Sequence, residues 1–300
     1  MRVIIPGAAG GPLDLVIRAA IEPLAANLGR PVEVVNVPGE HGENAVMALL
    51  DAPADGHTIL AATPCLLITG QFLPGFPRHP RAVFAPITRI GIASVVLAVS
   101  GLRPWRNVAD LMDAAHARPG ELRVGTSGVG TTSHLHMEHL TRFMGLAGFL
   151  RSVHFEAGQR AQMQALAAGE IDMVFNGAPA LMPLIRDDSA RAIAVGSRFR
   201  SIWTPELRAL PAIGEIRPQA SPDAMDWCGM VARAGTPPGA LRALNTAFGT
   251  ILELPGVRDA LMAIGVLPNP DPTPADFAAF WDSEVPARRR LIEGARLRAG

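Results

Sequence analysis

The sequence of 300 residues contains no tyrosine, only two cysteines and no excess charge of either sign. Lysine and arginine together number 27, as do aspartate and glutamate, so no overall electrostatic field favours nucleic acid or an anionic membrane. The cysteines, Cys65 and Cys228, are far apart and lack the spacing of a metal or redox motif. A disulfide bond in an oxidising compartment and two buried thiols both remain open. No nucleic-acid partner is expected.

Long hydrophobic runs are also missing. The longest uncharged apolar stretch, residues 90–102, is shorter than the roughly 20 residues that a membrane-spanning helix needs. No apolar leader precedes the first predicted strand. We therefore expect either a cytosolic protein or a chain from which a leader is absent.

Strand-like and helix-like patterns alternate along a chain that is 49% hydrophobic and 18% charged. A chain of this length exceeds one comfortable core, so two domains are expected. The alternation predicts an α/β fold in which helices cover both faces of mostly parallel sheets. Strands are predicted at residues 3–5, 32–35, 58–62, 95–99, 122–126, 171–175 and 191–195, and helices from residue 12 and at 43–50, 108–117, 133–144, 160–168, 238–252, 256–264 and 274–298.

A glycine-rich loop joins the first predicted strand to the first predicted helix. Gly7–Gly11 supplies the backbone freedom of a tight loop, and Pro12 stands where a first helical residue would. The first N–H groups of a helix have no partner within it, so residues 8–13 are expected to bind a carboxylate through the backbone. Asp14 would repel an anion, so it is expected to bond the loop's own N–H groups.

A second glycine-rich loop, in "GTSGVGTTSHL" from Gly125, follows the strand predicted at residues 122–126. Thr131, Thr132 and Ser133 offer hydroxyls, any of which could cap the next helix. Ligands of open α/β sheets bind beyond the carboxyl ends of the strands, where such loops lie. If the two halves of the chain face each other across a cleft, a small molecule with two carboxylates could be held at both ends.

Other chemistries fit these motifs less well. The first loop has neither the dinucleotide-binding spacing nor the Lys-Ser/Thr ending of a phosphate-binding loop. His136 and His139 share a helical face, but His134 points elsewhere and no further aligned ligand completes a metal site. No Gly-x-Ser-x-Gly elbow occurs. No metal, cofactor or catalytic residue is expected, and solvated or hydrogen-bonded histidines explain the pattern.

Several phrases, in order along the chain, match the pattern of one family. They are "PGAAGGPLD" from Pro6, "LGRPVEVVNVPGEHG" from Leu28, "ADGHTIL" from Ala54, "FAPIT" from Phe84, "GTSGVGTTSHL" from Gly125, "GEIDMVFNGAPALMPLI" from Gly169 and "RAGTPPGALRALN" from Arg233. With these phrases the chain resembles the tripartite tricarboxylate transporter solute-receptor family, the periplasmic carboxylate-binding proteins also called the Bug family. The likeness covers nearly the whole chain.

The resemblance implies a type II periplasmic-binding-protein fold. Two domains, each a mixed, mostly parallel sheet flanked by helices, would be joined by two crossover strands near Val95–Val99 and Gly229–Ala232. Domain 1 would comprise residues 1–97 and 230–300, and domain 2 residues 98–229, with the ligand cleft between them. Such a receptor, expected to be a monomer, closes on a small organic carboxylate in the periplasm and delivers it to membrane permease subunits, without a catalytic step. The alternative is an α/β enzyme that acts on a small carboxylated or phosphorylated substrate through the same loops, with His134 as its base.

Some positions depart from the family's pattern. Gly7 replaces an aromatic residue and Leu13 a threonine, which removes one stacking wall and one hydroxyl. The segment "HFEAGQRA" from His154 lacks the family's tyrosine and lysine, and Asn176 stands where aspartate is common. A larger and less polar site is therefore expected. The residues expected to bind the ligand are Ala8, Gly10, Gly11, Pro12, Leu13, Asp14, Thr63, Pro64, Ser127, Gly128, Gly130, Thr131, Thr132, His134 and Asn176.

Overall fold

Strands and helices alternate along the computed structural model, which describes residues 1–39, 42–72, 79–216 and 224–294. The strands are β1 (Arg2–Ile5), β2 (Glu33–Asn36), β3 (Thr58–Ala62), β4 (Phe84–Ser100), β5 (Leu122–Thr126), β6 (Leu150–His154), β7 (Met173–Gly177), β8 (Ala190–Val195), β9 (Met225–Arg233) and β10 (Val266–Pro268). The helices are α1 (Pro12–Leu28), α2 (Glu43–Leu50), α3 (Pro64–Leu67), α4 (Pro80–Val83), α5 (Val108–Ala117), α6 (Thr132–Phe143), α7 (Gln159–Ala167), α8 (Ala178–Arg186), α9 (Ile213–Ile216), α10 (Pro238–Leu252), α11 (Pro255–Ala263) and α12 (Pro274–Gly294). The predicted α/β class is confirmed.

The chain divides into two compact units. The first consists of Met1–Ile92 and Trp227–Arg290, and the second of Ala93–Asp226 with residues 291–294 at the end of α12. The chain therefore passes from one unit to the other within β4 and within β9. The sequence puts these boundaries at 97/98 and 229/230, a few residues farther along the same strands. Most of both strands is buried, so hydropathy carries no signal of where one unit ends.

Parallel strands form the centre of the first unit. β1 lies between β2 and β3 and is parallel to both, with Ile5 opposite Asn36 and Ile4 opposite Leu60. β9 pairs antiparallel with β3 and is followed by β4, which also pairs with β10. Ile4 and Leu60 pack with Leu49 of α2, while α1 packs against α10 and α11. The carboxyl ends of β1, β2 and β3 therefore meet at one edge of this sheet.

The second unit repeats this arrangement. β5 lies between β6 and β7 and is parallel to both, and β4 is antiparallel to β7 and β8, which gives the order β8-β4-β7-β5-β6. Leu97 packs with Leu111 of α5 and Leu140 of α6, whereas Val96 packs with Leu166 of α7 on the other face. Helices thus cover both faces of the sheet, as predicted.

Several elements differ from the predicted ones, and β10 and the short helices α3, α4 and α9 are not predicted. The pattern predicts a strand only at residues 95–99, but β4 begins at Phe84, because Pro86 and Arg89 interrupt the apolar run without ending the strand. β6 is not predicted, since its residues are exposed or half-buried. Helix α8 is not predicted either, because it contains Pro183, and proline usually breaks a helix. The predicted helix at 274–298 is observed to Gly294, and residues 295–298 lie outside the described residues.

Neither a disulfide bond nor a membrane-spanning helix is found in the part of the chain that the structure describes. Cys65 is half-buried and Cys228 is buried, and the two do not form a disulfide bond. No helix within the described ranges combines the length and the apolar character that crossing a membrane would require.

An ion pair links β4 to the segment before α12 within the first unit. The guanidinium of Arg89 donates to the carboxylate of Asp271 from Nη2 at 2.7 Å and from Nε at 3.0 Å, and the Arg89 backbone N–H donates at 2.9 Å. Only 2% of the Asp271 side chain is exposed. Asn245 of α10 donates to the carbonyl oxygens of Ile87 and Asp271, and Arg89 lies 3.9 Å above the Phe280 ring of α12. The C-terminal helices are therefore fixed to β4 by a buried polar network.

We expect Asp271→Asn to destabilise the first unit by about 3–5 kcal/mol, because it leaves the Arg89 guanidinium buried without its counterion. Urea unfolding followed by tryptophan fluorescence measures this loss, since Trp227 and Trp281 lie in the core of the same unit. Asp282→Asn is the matched control: Asp282 is exposed and lies 3.7 Å from Arg81, so its loss should cost less than about 1 kcal/mol. Equal losses for the two variants would contradict the role given to Asp271.

Candidate functional site

The first loop, residues 6–11, joins β1 to α1 at the carboxyl edge of the first unit's sheet. Gly10 has a φ of 75°, in the left-handed region that favours glycine, and Ala8–Gly10 are exposed. Gly11 precedes α1 in an extended conformation without a side-chain cap, and Pro12 is the first helical residue. The N–H groups of the first turn therefore lack partners within the helix and attract an anion.

Asp14 holds this loop in place. Its buried carboxylate accepts hydrogen bonds from the Gly10 N–H at 2.8 Å, from Arg18 Nε at 2.8 Å and from Asn36 Nδ2 at 3.0 Å. Burial by itself would raise the pKa of the Asp14 carboxyl, but the hydrogen bonds from Arg18, Gly10 and Asn36 together hold that pKa below its usual value. Asp14 is therefore ionised and serves the loop, as expected from the sequence.

Arg18 and Asn36 complete the hydrogen-bond network of the first loop, and sequence reasoning missed both. Arg18 Nη2 donates to Asn36 Oδ1 at 3.1 Å, and Asn36 Nδ2 donates to the Gly7 carbonyl oxygen at 3.1 Å. The spacing of four residues between Asp14 and Arg18 on one helix is a signal that could have found Arg18. Asn36 has no such local signal, because only the pairing of β2 with β1 brings it to the loop. Asn36 thus holds the Gly7 carbonyl group, and the Arg18 guanidinium neutralises the charge of Asp14.

Thr63 and Pro64 lie at the same edge of the first sheet. Because β3 is parallel to β1, Thr63 follows β3 at the edge where the first loop follows β1. Thr63 is half-buried and extended, and the buried Pro64 begins the short helix α3. The predicted residues of the first unit thus come from adjacent strand ends: Ala8, Gly10, Gly11, Pro12, Leu13 and Asp14 after β1, and Thr63 and Pro64 after β3.

The second loop, residues 127–131, stands in the same position in the second unit. Gly128 and Gly130 have φ values of 117° and 82°, and Thr131 caps α6, its Oγ1 accepting from the His134 N–H at 3.4 Å. Of the three hydroxyls that the sequence leaves open as caps, the structure selects that of Thr131. At the neighbouring strand end, His154 Nδ1 lies 2.7 Å from the Thr126 hydroxyl oxygen.

Three hydroxyls of the second loop bond to one another. Ser127 Oγ lies 2.8 Å from Ser133 Oγ, and Thr131 Oγ1 lies 3.2 Å from each of them. Thr131 Oγ1 also donates to the Gly128 carbonyl oxygen at 2.7 Å, so its proton is used inside the loop. Thr131 therefore shapes the loop and caps the helix. Ser133, which is not among the predicted residues, belongs to the same cluster.

His134 is a neutral partner of the second loop. Its ring is buried, and Nδ1 accepts a hydrogen bond from the Gly130 N–H at 3.1 Å. A backbone N–H only donates, so the proton of the neutral ring is on Nε2. Burial, with a smaller effect of the His154 ring 5.0 Å away, lowers the pKa of His134 to about 4. At neutral pH the ring is uncharged and its Nδ1 lone pair is occupied.

Asn176 ties the end of β7 to α7. Its Oδ1 accepts from Gln159 Nε2 at 2.7 Å and from the Gly177 N–H at 2.9 Å, and its Nδ2 donates to Gln162 Oε1 at 2.9 Å. Gln162 is fully buried and also donates to the Gly125 carbonyl oxygen, at 2.9 Å. Sequence reasoning missed both glutamines, although their spacing of three residues on a helix places them on one face. Asn176 is thereby coupled through one amide network to the end of β5, the strand that leads into the second loop.

The other histidines of α6 are His136 and His139. His136 is buried, and His139 is half-buried, with a pKa lowered by burial and then by the charge of Arg142. Across the described ranges, no group of three or more histidine, cysteine, aspartate or glutamate side chains is arranged to hold a metal ion.

Comparisons with known proteins give one consistent result. A family model described as the tripartite tricarboxylate transporter family receptor matches residues 16–297. A relative from Pseudomonas sp. (strain P51), named as a UPF0065 protein in the tcbD-tcbE intergenic region, is 27% identical over 297 residues, covering 99% of this chain and 86% of the relative.

Solved structures share the fold over its full length. Rpa4515 of R. palustris, solved with adipate, matches with a TM-score of 0.90 and 27% identity, covering 100% of this chain and 98% of that one. The periplasmic binding protein BugD matches with a TM-score of 0.86 and 25% identity, again covering 100% of this chain and 98% of that one. The predicted mixed α/β architecture is thus that of periplasmic binding proteins.

The lowered pKa of His134 predicts a loss of stability in acid. Between pH 6.5 and 4 the unfolded chain binds a proton that the folded ring does not. The free energy of unfolding therefore decreases as the pH is lowered, by about 3 kcal/mol at pH 4. His134→Gln should remove most of this slope in urea unfolding curves measured across that window. His116→Gln, at an exposed position of the same unit, is the control and should keep the slope. An unchanged slope in His134→Gln would contradict the assignment.

Proposed function

The chain belongs to the tripartite tricarboxylate transporter receptor family, and on that premise we propose that it captures a small organic carboxylate in the periplasm and delivers it to membrane permease subunits. Membership, which the sequence resemblance predicted, makes the chain a solute-binding receptor. The carboxylate class, the compartment and the permease are the parts that we add. In this role the receptor acts as a monomer, without a catalytic step or a cofactor.

The observation that carries the carboxylate class is the repeated strand–glycine loop–helix arrangement. In each unit the loop after the central parallel strand presents the first N–H groups of a helix at the carboxyl edge of the sheet. A helix N-terminus attracts an anion by about 0.3–1 kcal/mol, and each hydrogen bond to a charged group adds roughly 1.5–3 kcal/mol. Two such loops are suited to carboxylate groups.

The charges around the first loop favour binding through the backbone. Arg18, the first arginine after the loop, already pairs with Asp14 at 2.8 Å. Asp14 in turn uses both carboxylate oxygens for Arg18, Gly10 and Asn36, so its negative charge is compensated locally. Within residues 8–13, Pro12 has no N–H, and the N–H groups of Gly10 and Gly11 are bonded inside the loop. An arriving carboxylate therefore meets the N–H groups of Ala8, Ala9 and Leu13, without strong repulsion from Asp14.

The departures from the family's pattern favour a ligand with an apolar carbon chain. A Cβ atom placed on Gly7 would meet no heavy atom within 4 Å, so there is room where the family carries an aromatic ring. Leu13 adds half-buried apolar surface in place of a hydroxyl. The similar protein Rpa4515 was solved with adipate, a dicarboxylate whose ends are joined by methylene groups. We infer that dicarboxylates of this kind are the first ligands to test.

The structure does not favour the alternative of an α/β enzyme with His134 as its general base. A general base at the second loop would have to be His134, whose Nδ1 already accepts the Gly130 N–H and whose pKa is lowered to about 4. Such a ring holds the loop and is poorly suited to abstract a proton at neutral pH.

Thermal unfolding in the presence of adipate tests the proposal. A ligand that binds only the folded chain, at a hundred times its Kd, stabilises it by about 2.7 kcal/mol and raises Tm by several degrees. Adipamide, which has the same carbon chain without charge, is the matched control and should leave Tm unchanged. A panel of mono-, di- and tricarboxylates in which no member raises Tm would overturn the carboxylate assignment.

The first loop is tested by a pair of substitutions at Gly10, where φ is 75° and an added Cβ atom meets open space. Gly10→Val should abolish adipate binding in calorimetry, because a β-branched residue cannot hold this conformation and the loop would lose its bond to Asp14. Gly10→Asn should retain most of the binding, since asparagine tolerates the left-handed region. If Gly10→Val folds by circular dichroism and binds as well as the wild type, the loop is not part of the site.

A further inference from the structure

A surface cavity of about 380 Å³ lies in the second unit, at the opposite end of β5 from the second loop. β5 begins at Leu122 beside the cavity and ends at Thr126, and four residue steps of about 3.3 Å separate these ends by roughly 13 Å. The cavity is lined by Arg103, Pro104, Trp105, Arg118, Glu121, Leu122, Arg123 and Asp172. Its three arginines come from separate chain segments: after β4, after α5 and within β5.

Asp172 holds two of these arginines in fixed positions. Its buried carboxylate accepts from Arg103 Nε at 2.6 Å and, within Arg123, from the backbone N–H at 2.6 Å and from Nε at 3.3 Å. The Nη2 groups of Arg103 and Arg123 both donate to the Gly169 carbonyl oxygen at 3.0 Å. The two guanidiniums are therefore oriented by the fold before any ligand arrives.

A further arginine supports the rim of the cavity from behind. Arg191 Nη1 donates to the carbonyl oxygens of Arg103 at 3.2 Å and Trp105 at 3.1 Å. The segment that carries Arg103 is thereby tied to β8, and the Trp105 ring beside it is buried. The wall of the cavity is therefore held by hydrogen bonds on this side.

The lining carries more positive than negative charge, since three arginines face Glu121 and Asp172. Asp172 can neutralise only one of the two guanidiniums that it binds. These bonds use Nε and Nη2 of Arg103 and Arg123, which leaves each Nη1 outside them. Arg118 is an exposed residue of the lining and forms no ion pair with any residue that the structure describes. The excess charge is therefore concentrated on the cavity.

We propose that this cavity is a binding site for a small inorganic oxyanion of the phosphate or sulfate type. A guanidinium presents parallel donors that match two oxygens of such an ion, and a tetrahedral ion offers oxygens to arginines on three segments at once. The chain contains no lysine, so all 27 of its lysine and arginine positions are arginines. A metal cation does not fit among these arginines. The site shares no residue with either glycine loop and is independent of the proposed carboxylate function.

Titration with inorganic phosphate, followed by ¹H–¹⁵N NMR of the whole chain, tests the proposal. Phosphate should shift the Trp105 indole N–H and the Arg123 amide in a saturable way, while the Gly10 and Gly130 amides report on the loops. Arg118→Gln should weaken phosphate binding about tenfold, because it removes a charge-assisted hydrogen bond without disturbing Asp172. Glu121→Gln should strengthen binding a few-fold, because it removes a like charge from the lining.

Arg242→Gln is the matched control, because Arg242 is an exposed helical arginine of the first unit, and it should leave phosphate binding unchanged. Sodium chloride at the same ionic strength controls for general screening. The proposal is overturned if chloride reproduces the shifts, if Arg118→Gln binds phosphate as the wild type does, or if the shifts appear at Gly10 and Gly130 in place of Trp105 and Arg123. None of these results depends on whether adipate binds.

Discussion

Parallel pairing of a central strand with both of its neighbours is the constraint on which the two candidate carboxylate sites depend. In the first unit β1 runs parallel to β2 and β3, and in the second β5 runs parallel to β6 and β7. Parallel strands end at the same edge, so each glycine loop meets side chains that are distant in sequence. Asn36 reaches the first loop in this way, and His154 reaches Thr126 beside the second. Without this register each loop would keep only the polar contacts made by its own segment and the helix that follows it.

The sequence predicted the central helices and strands of this architecture, but few of the hydrogen bonds between its polar side chains and the backbone. Helix α2, strands β3 and β5 and helix α5 match their predicted bounds, because apolar periodicity and Gly, Pro or Asn boundaries coincide there. Asp14 was correctly expected to bond its own loop. Gln162 and Asn36 could not be foreseen, since their partners Gly125 and Gly7 become neighbours only when the sheets form. Local patterns specify elements, whereas hydrogen bonds across strands require the register.

Buried charge in this chain is handled by pairing arginines with single carboxylates. Asp14 binds Arg18, Asp271 binds Arg89, and Asp172 binds both Arg103 and Arg123. The first two groups are balanced and hold the fold, in the loop and in the C-terminal helices respectively. In the third group Asp172 binds one guanidinium more than its carboxylate can neutralise. The Asp14 and Asp271 pairs therefore only support the fold, whereas the Asp172 group also attracts an anion to the cavity.

Because Asp14 bonds the backbone N–H of Gly10, the shape of the first loop does not depend on which side chains the loop carries. The side chains of Asp14 and Asn36 hold the loop by hydrogen bonds. The side chains of Ala8 and Ala9 are exposed and take no part in these bonds. Substitutions at these two positions can alter the surface offered to a ligand without disturbing the backbone that would hold its charge. Ligand specificity can therefore change by substitutions that leave the stability of the fold unaffected, because the residues that are free to vary are not those that keep the receptor folded.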